Sequence, residues 1–341
     1  MRSARKSARY AVGAALLALT AAIAACSSSS SSSPAGSAGG ASSSGGAAAG
    51  GLTNVTLGYV PYSDDASLFY AQDHGIFRKH GLNVTFVPQA SPVVVEASMA
   101  SGTEQFGFIT TPVLINLNTK GVGVKCVSTV DGNESADPAH DTTVLVAAKG
   151  SGIKSIKDLA GKNVAEVQLT SLNSLAVMVL AKQAGIDPHS IHQIQIPFPQ
   201  MPAALSQGRV QAAVIVSPFT QNALSEGATV LSHPNQVLFP NGTLTCLDAM
   251  SSYISANPKV VSEFRAAMNE AVTYSATHQS EVKQTLASHL QLSMAVAEKQ
   301  VLNTNFSTSF NTASMTEIGN DMKEFGIISS VPDPSSMIWS P

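Results

Sequence analysis

From Leu52 onward the chain keeps switching hydrophobic period, and that alternation limits the fold more than any other feature. "VTLGYV" reads as a strand. "ASLFYAQDHGIF" follows with Leu68, Phe69, Ala71, Gln72 and Ile76 at helical spacing. "NVTFVP" and "VVVEASMASG" repeat the pattern, then "QFGFIT" and "PVLINLNTKG", then "VGVKCVSTV". Pro112 can open its helix, and Gly102 and Gly121 can close theirs. A loop rich in Asp, Pro and His spans 131–141, and the alternation then restarts with the strands "TTVLVAA", "KNVAEV", "IHQIQI" and "VQAAVIVS". Between them lie a short helix boxed by Ser155 and Asp158, "SLNSLAVMVLAKQAG", "QMPAALSQG" and finally "PFTQNALSEG". "TLTCLDAMSSYIS", from about Thr243, reads as strand and leads to a helical tail from Pro258 to about Phe325. Strands alternating with helices predict βαβ units, an α/β class and mostly parallel sheets. The expected organisation is two doubly wound lobes. Residues 52–140 and 245–341, with the C-terminal helices, form lobe I, and 141–244 form lobe II. Crossings near 131–145 and 235–250 imply a hinge.

The N-terminus belongs to neither lobe. Arg2, Arg5, Lys6 and Arg9 precede an apolar run, Ala11 to Ala25. That length suits a signal peptide and falls short of the roughly 20 residues that span a bilayer. The run ends in Ile23-Ala24-Ala25-Cys26, which resembles the lipobox of bacterial lipoproteins. The resemblance implies cleavage after residue 25, lipidation of Cys26 and an extracytoplasmic chain anchored to the cell membrane. Residues 27–51 are nearly all Ser, Gly and Ala. They cannot bury enough surface to offset their ordering entropy, and read as a flexible tether.

Composition narrows the partners. The chain has 19 basic and 22 acidic residues; without the four basic ones in 1–25, the balance is 15 against 22, or −7. An acidic body argues against nucleic acid. Nothing after residue 51 is long and apolar enough to cross a bilayer. With Cys26 lipidated, Cys126 and Cys246 remain in an oxidising compartment, either paired as a disulfide or as two buried thiols. His189 and His192 lack a third ligand at suitable spacing, and no zinc-protease, C-x-x-C, nucleophile-elbow or Walker motif occurs. No metal, cofactor or catalytic residue is expected.

"LGYVPYSDDASLFYAQDHGIFRKHGLNVTFV" resembles the opening of the extracytoplasmic solute-binding proteins of ABC importers for nitrate, sulfonates, taurine and thiamine precursors. "SGTEQFGFITTP", "GIKSIKDLAGKNVA", "MPAALSQGRVQAAVIVSPFTQNA" and "SANPKVVSEFRAAMNEAVTYSATH" resemble later segments in the same order, covering about 53–280. The family often carries Asp near Glu104 or Gln105, and a Trp-acidic-Pro triplet where Val216-Ser217-Pro218 stands; these departures leave the ligand class open. The resemblance implies a type II periplasmic-binding-protein fold. It also implies a monomer that traps a small molecule between its lobes and hands it to a permease and ATPase complex. A sensor that imports nothing, or an enzyme of cofactor-precursor metabolism, would use the same scaffold.

In doubly wound sheets, ligands sit beyond the carboxyl ends of the strands. The candidate contacts are therefore Tyr62, Asp65, Thr110, Thr111, Thr142, Ser171, Asn173 and Ser217, with Tyr59 and Phe219 as apolar walls. Each of the polar ones could equally be a helix cap. No Lys or Arg stands in these loops, and Asp64 and Asp65 do, which favours a neutral or partly cationic ligand over a sulfonate or nitrate. Helix ends can also hold an anion, so sulfonate, nitrate, pyrimidine, flavin and amine all remain open.

Overall fold

The computed structural model describes residues 51–130, 135, 137–298 and 305–341. The basic and apolar N-terminus, Cys26, nearly all of the Ser/Gly tract and residues 131–134 of the first crossing lie outside the described residues. Ten strands form two five-stranded sheets. They are β1 (Thr53–Tyr59), β2 (Leu82–Pro88), β3 (Phe106–Thr110), β4 (Val124–Ser128), β5 (Thr143–Ala147), β6 (Asn163–Glu166), β7 (His192–Gln195), β8 (Ala212–Val216), β9 (Thr229–Ser232) and β10 (Thr245–Met250).

The sheet orders are β2-β1-β3-β10-β4 and β7-β6-β8-β5-β9. Both follow one pattern, with the fourth place in each sheet taken by the strand that has just crossed from the other lobe. The sheets are mostly parallel as expected, four of the five strands in each running the same way, with one reversed strand apiece. β1 runs parallel to β2 and β3, and β6 to β7 and β8, but β10 and β5 are antiparallel to both their neighbours. The register gives the reason. Thr245 at the start of β10 lies opposite Thr110 at the end of β3, and Thr143 at the start of β5 opposite Val216 at the end of β8. Each crossing enters its new sheet at the carboxyl edge of the parallel strands and can only run back.

Three boundaries differ from the sequence expectation. Gly75, at φ +66°, divides the first helix into Ala66–Asp73 and Ile76–Lys79; a left-handed residue is costly for any side chain but absent from glycine. Residues 251–255 are not strand: β10 ends at Met250, which pairs with Val124 at the start of β4, so no partner remains beyond it. The chain turns there into the helix Ser251–Ala256. Strand β9 has no counterpart among the elements expected from sequence, and the helix Pro234–Leu238 lies at the expected crossing near 235–250. β9 is an edge strand with exposed Thr229 and Val230, so it lacks the apolar run that marks a buried strand.

Aromatic packing ties the C-terminal helices to the first sheet. The helix Pro258–Ser275 buries Val261, Phe264, Met268, Ala271, Val272 and Ser275, one stripe at helical period. Phe264 stacks on Phe106 of β3 at 3.8 Å and on Phe77 at 5.7 Å. Each such buried ring contributes about 1.5–3 kcal/mol by area. The last residues return to β4, where Trp339 donates its backbone N–H to the Cys126 carbonyl at 2.9 Å. Arg265 Nη1 donates to the Trp339 carbonyl at 2.8 Å and lies over the Trp339 and Phe310 rings. Cys126 and Cys246 are joined in a disulfide between β4 and β10. Among the described residues no helix is long and apolar enough to cross a membrane.

Candidate functional site

A narrow cavity of about 40 Å³ lies between the two sheets. The first sheet's side gives Tyr62 and Asp64 after β1, Pro92 after β2, Thr110 at the end of β3 and Thr245 at the start of β10. The second gives Thr143 at the start of β5, Val167, Gln168, Ser171, Leu172 and Asn173 after β6, Phe198 after β7, Val216 at the end of β8 and Asn235 after β9. These are the carboxyl ends of the parallel strands, where the doubly wound topology leaves a crevice. The lobes touch across it. Ser63 donates its backbone N–H and hydroxyl to the Ser217 carbonyl, at 3.1 and 3.2 Å. Gln168 Nε2 donates to Glu96 Oε1 at 2.8 Å. The Tyr62 ring meets Phe198 edge-on at 5.9 Å.

The electrostatics of the cavity are acidic. Among the described residues no Lys, Arg or His lines it. Burial raises the Asp64 carboxyl to about 6, against a hydrogen bond from the Thr142 hydroxyl that pulls the other way. Asp141, on the first crossing, is raised to about 7, mainly by burial and further by the nearby Asp64 charge. Backbone N–H groups of Thr143 and Gln236 donate to Asp141 at 2.8 and 3.3 Å and oppose that rise. Asp141 thus ties both crossings to one carboxylate. Tyr62 is also pushed well up by burial, then by Asp65 and Asp64.

Of the residues expected from sequence, Tyr62, Thr110, Ser171 and Asn173 line the cavity. Ser171 caps the helix Leu172–Gln183, its Oγ accepting from Ser174 N at 3.4 Å. The rest lie elsewhere. Asp65 turns back to accept from Tyr62 N at 3.2 Å, so the cavity carboxylate is its neighbour Asp64. Thr111 is fully buried and donates to the Thr243 carbonyl at 2.6 Å, bracing the second crossing. Thr142 and Ser217 line a side groove with Asp141 and His233, joined by a backbone bond from Ser217 N to the Thr142 carbonyl at 3.0 Å. Tyr59 packs edge-on against Phe69 and Phe86. Phe219 lines a separate groove with Pro61, His289 and Leu292, although its ring still stacks on Phe198 at 6.3 Å. Gln168, Asn235 and Thr245 were not expected from the sequence, whereas Asp64 and Thr143 stand beside the expected Asp65 and Thr142. Asn235 had no signal, because its helix was not expected; Gln168 stood in view, just past the end of "KNVAEV".

Two sheets of this order, each completed by a strand from the crossing and facing each other over one cavity, define the periplasmic-binding-protein fold. A solved ligand-binding component of an ABC-type import system from Staphylococcus aureus, crystallised with zinc, has the same fold, with TM-score 0.73 and 16% identity over 84% of this chain and 97% of that one. So does the periplasmic aliphatic sulphonate-binding protein SsuA of Escherichia coli, at TM-score 0.67 and 21% identity over 84% and 97%. The family model described as NMT1/THI5 like matches residues 63–282, and the chain belongs to that family. The bicarbonate transport ATP-binding protein CmpC of Synechocystis is 24% identical over 253 residues, which are 70% of this chain and 38% of CmpC. The chain therefore spans about two fifths of that relative's length.

Proposed function

We propose that this chain is a solute-binding protein of an ABC importer, held outside the cytoplasm by a lipid on Cys26. It captures a small polar organic solute between its lobes and delivers it to a permease. The observation that carries this reading is the cavity itself: both lobes line it through the connections at their strand carboxyl ends, and they touch at its rim through Ser63 and Ser217. A bound solute favours the touching arrangement by its differential affinity for it. Tyr62, Asp64, Thr110, Gln168, Ser171, Asn173 and Asn235 are the contacts on this reading. The solutes named for the family's relatives, a sulphonate and bicarbonate among them, support transport as the class of function. Native mass spectrometry of the full chain extracted from its host in mild detergent tests the proposal. The expected result is a carried compound, released unchanged on denaturation. A chain that never carries a compound, or one that returns it chemically altered, refutes the reading.

A further inference from the structure

We infer that the ligand of this cleft is an organic cation, with a flat apolar body against Tyr62 and Phe198 and a protonated N–H group met by Asp64, Gln168 and Asn235. This rests on the binding reading above and adds the charge and shape of the solute.

Three independent observations converge on it. The first is the polarity of the unmatched groups. Asp64, Gln168, Asn235 and Thr110 line the cavity, and among the described residues the acceptors Asp64 Oδ1, Gln168 Oε1 and Asn235 Oδ1, together with the Thr110 hydroxyl, which can also donate, are buried without a hydrogen-bond partner. Gln168 and Asn235 are 6% and 5% exposed. The orientation of the Gln168 amide follows from its neighbour: Nε2 donates to the Glu96 carboxylate, so the oxygen is the atom left for the cavity. A buried acceptor without a donor costs about 1–3 kcal/mol, and a ligand rich in N–H groups removes that cost at several atoms together.

The second observation is what the helix starts lack. Helix N-termini bind anions through free backbone N–H groups. Here the helix Pro92–Ser101 opens on proline and the helix Thr111–Thr119 has Pro112 at its second position, so neither residue has an N–H to offer. The Thr111 N–H is already given to the Leu244 carbonyl at 2.8 Å. On the helix Leu172–Gln183 the Ser174 N–H is taken by Ser171 Oγ, which leaves the Leu172 and Asn173 N–H groups without a partner among the described residues. An anion would therefore find neutral hydroxyl, amide and backbone donors, but among the described residues no cationic side chain in the lining, and it would face the Asp64 carboxylate.

The third is shape. Pro92, Val167, Leu172 and Val216 form the aliphatic part of the wall, and Tyr62 and Phe198 the aromatic part. Aromatic faces attract cations as well as flat rings. The raised Asp64 carboxyl, at about 6, is still mostly ionised at neutral pH, and a bound cation would hold it so.

The test uses three probes of one shape and different charge: benzamidine, benzamide and benzoate. They are titrated calorimetrically into the detergent-extracted full chain, freed of carried ligand by partial unfolding and refolding. Benzamidine is expected to bind at least tenfold more tightly than benzamide, with benzoate undetectable. Asp64→Asn should bring the benzamidine-to-benzamide ratio below threefold, and Asn235→Leu should weaken benzamidine at least threefold; circular dichroism checks that both variants fold. The inference is overturned if benzoate binds as well as benzamidine, if the preference survives Asp64→Asn, or if benzamidine fails to bind at 10 mM. In each of those cases a solute still carried in native mass spectrometry leaves the binding reading standing, so the two failures are distinguishable.

Discussion

The disulfide between Cys126 and Cys246 offers a stability prediction whose size follows from the chain path. The two cysteines are 120 residues apart, and everything between β4 and β10 lies in the closed loop, including all five strands of the second sheet. In the chain-entropy account, closing a loop of this length removes roughly 5 kcal/mol of freedom from the unfolded state at 25 °C. Both cysteines are fully buried, so alanine variants would add the cost of lost packing. Reduction of the parent chain keeps both sulfurs in place, and so separates the two effects. The parent is unfolded in urea with and without a phosphine reductant, alongside Cys126→Ala/Cys246→Ala. The reduced parent should lose about 2–5 kcal/mol, and the double variant slightly more. At about 2–4 °C per kcal/mol for a body of this size, the melting temperature should fall by roughly 5–20 °C. If oxidised and reduced chains unfold within about 0.5 kcal/mol of each other, the loop-closure argument is refuted, and the hydrogen bonds of β10 to β3 and β4 alone hold the two crossings.

Further expectations concern packing, protonation and the cavity. A Cβ on Gly107 would lie 2.2 Å from Met99 Sδ and 2.7 Å from Val95 Cγ1, so Gly107→Ala should cost about 1–3 kcal/mol in urea unfolding, with part of the loss recovered by adding Met99→Ala. The Asp141 carboxyl is raised from its usual 3.8 to about 7 by burial, so the folded chain holds a proton that the unfolded chain releases. That contribution to stability is complete below pH 3.8 and is lost as pH rises through about 7; unfolding at pH 4–8 should show the decline, and Asp141→Asn should flatten it. Asn173→Arg puts a long cation into a cavity lined by Asp64, and native mass spectrometry should find the variant empty while its far-ultraviolet spectrum is unchanged.

The fold was legible because α/β architecture is written in local periods. Strand runs such as "QFGFIT" and "VQAAVIVS" are buried on both faces and announce themselves. Helix ends were equally plain where a left-handed glycine closes them, as at Gly102 and Gly185. What stayed hidden depends on pairing. Whether 251–255 continue a strand is decided by where β4 begins, at Val124, far earlier in the chain. The direction of β5 and β10 depends on which edge of a sheet a crossing reaches. The site was legible to the level of the loop and not of the residue: the sequence pointed at Tyr62 and Asp65, but Asp65 closes a local capping box onto the Tyr62 N–H and the cavity goes to its neighbour Asp64. Thr111 and Ser217 look like ligand contacts in sequence for the same reason that they serve the crossings, since short polar side chains suit both tasks.

The placement of those crossings gives the acidic pair its meaning. Asp141 accepts from Thr143 on the first crossing and from Gln236 on the second. The Asp64 carboxylate is hydrogen-bonded by Thr142, whose carbonyl in turn accepts from Ser217. The charge on the group that would meet a cation therefore raises the proton affinity of the group that ties the two crossings together, and Thr142, next to Asp141, hydrogen-bonds Asp64. A positive charge arriving at Asp64 lowers that affinity at both positions, and the ionised Asp141 then accepts its two backbone N–H groups more strongly. On this reading a cationic solute strengthens the hinge as it fills the cleft, and binding at pH 6–7 releases protons. Calorimetry of benzamidine binding in buffers of different ionisation enthalpy measures that release directly. An equal heat in every buffer at pH 6.5 would show that the two carboxylates do not titrate with binding, and would break the link between charge recognition and the hinge.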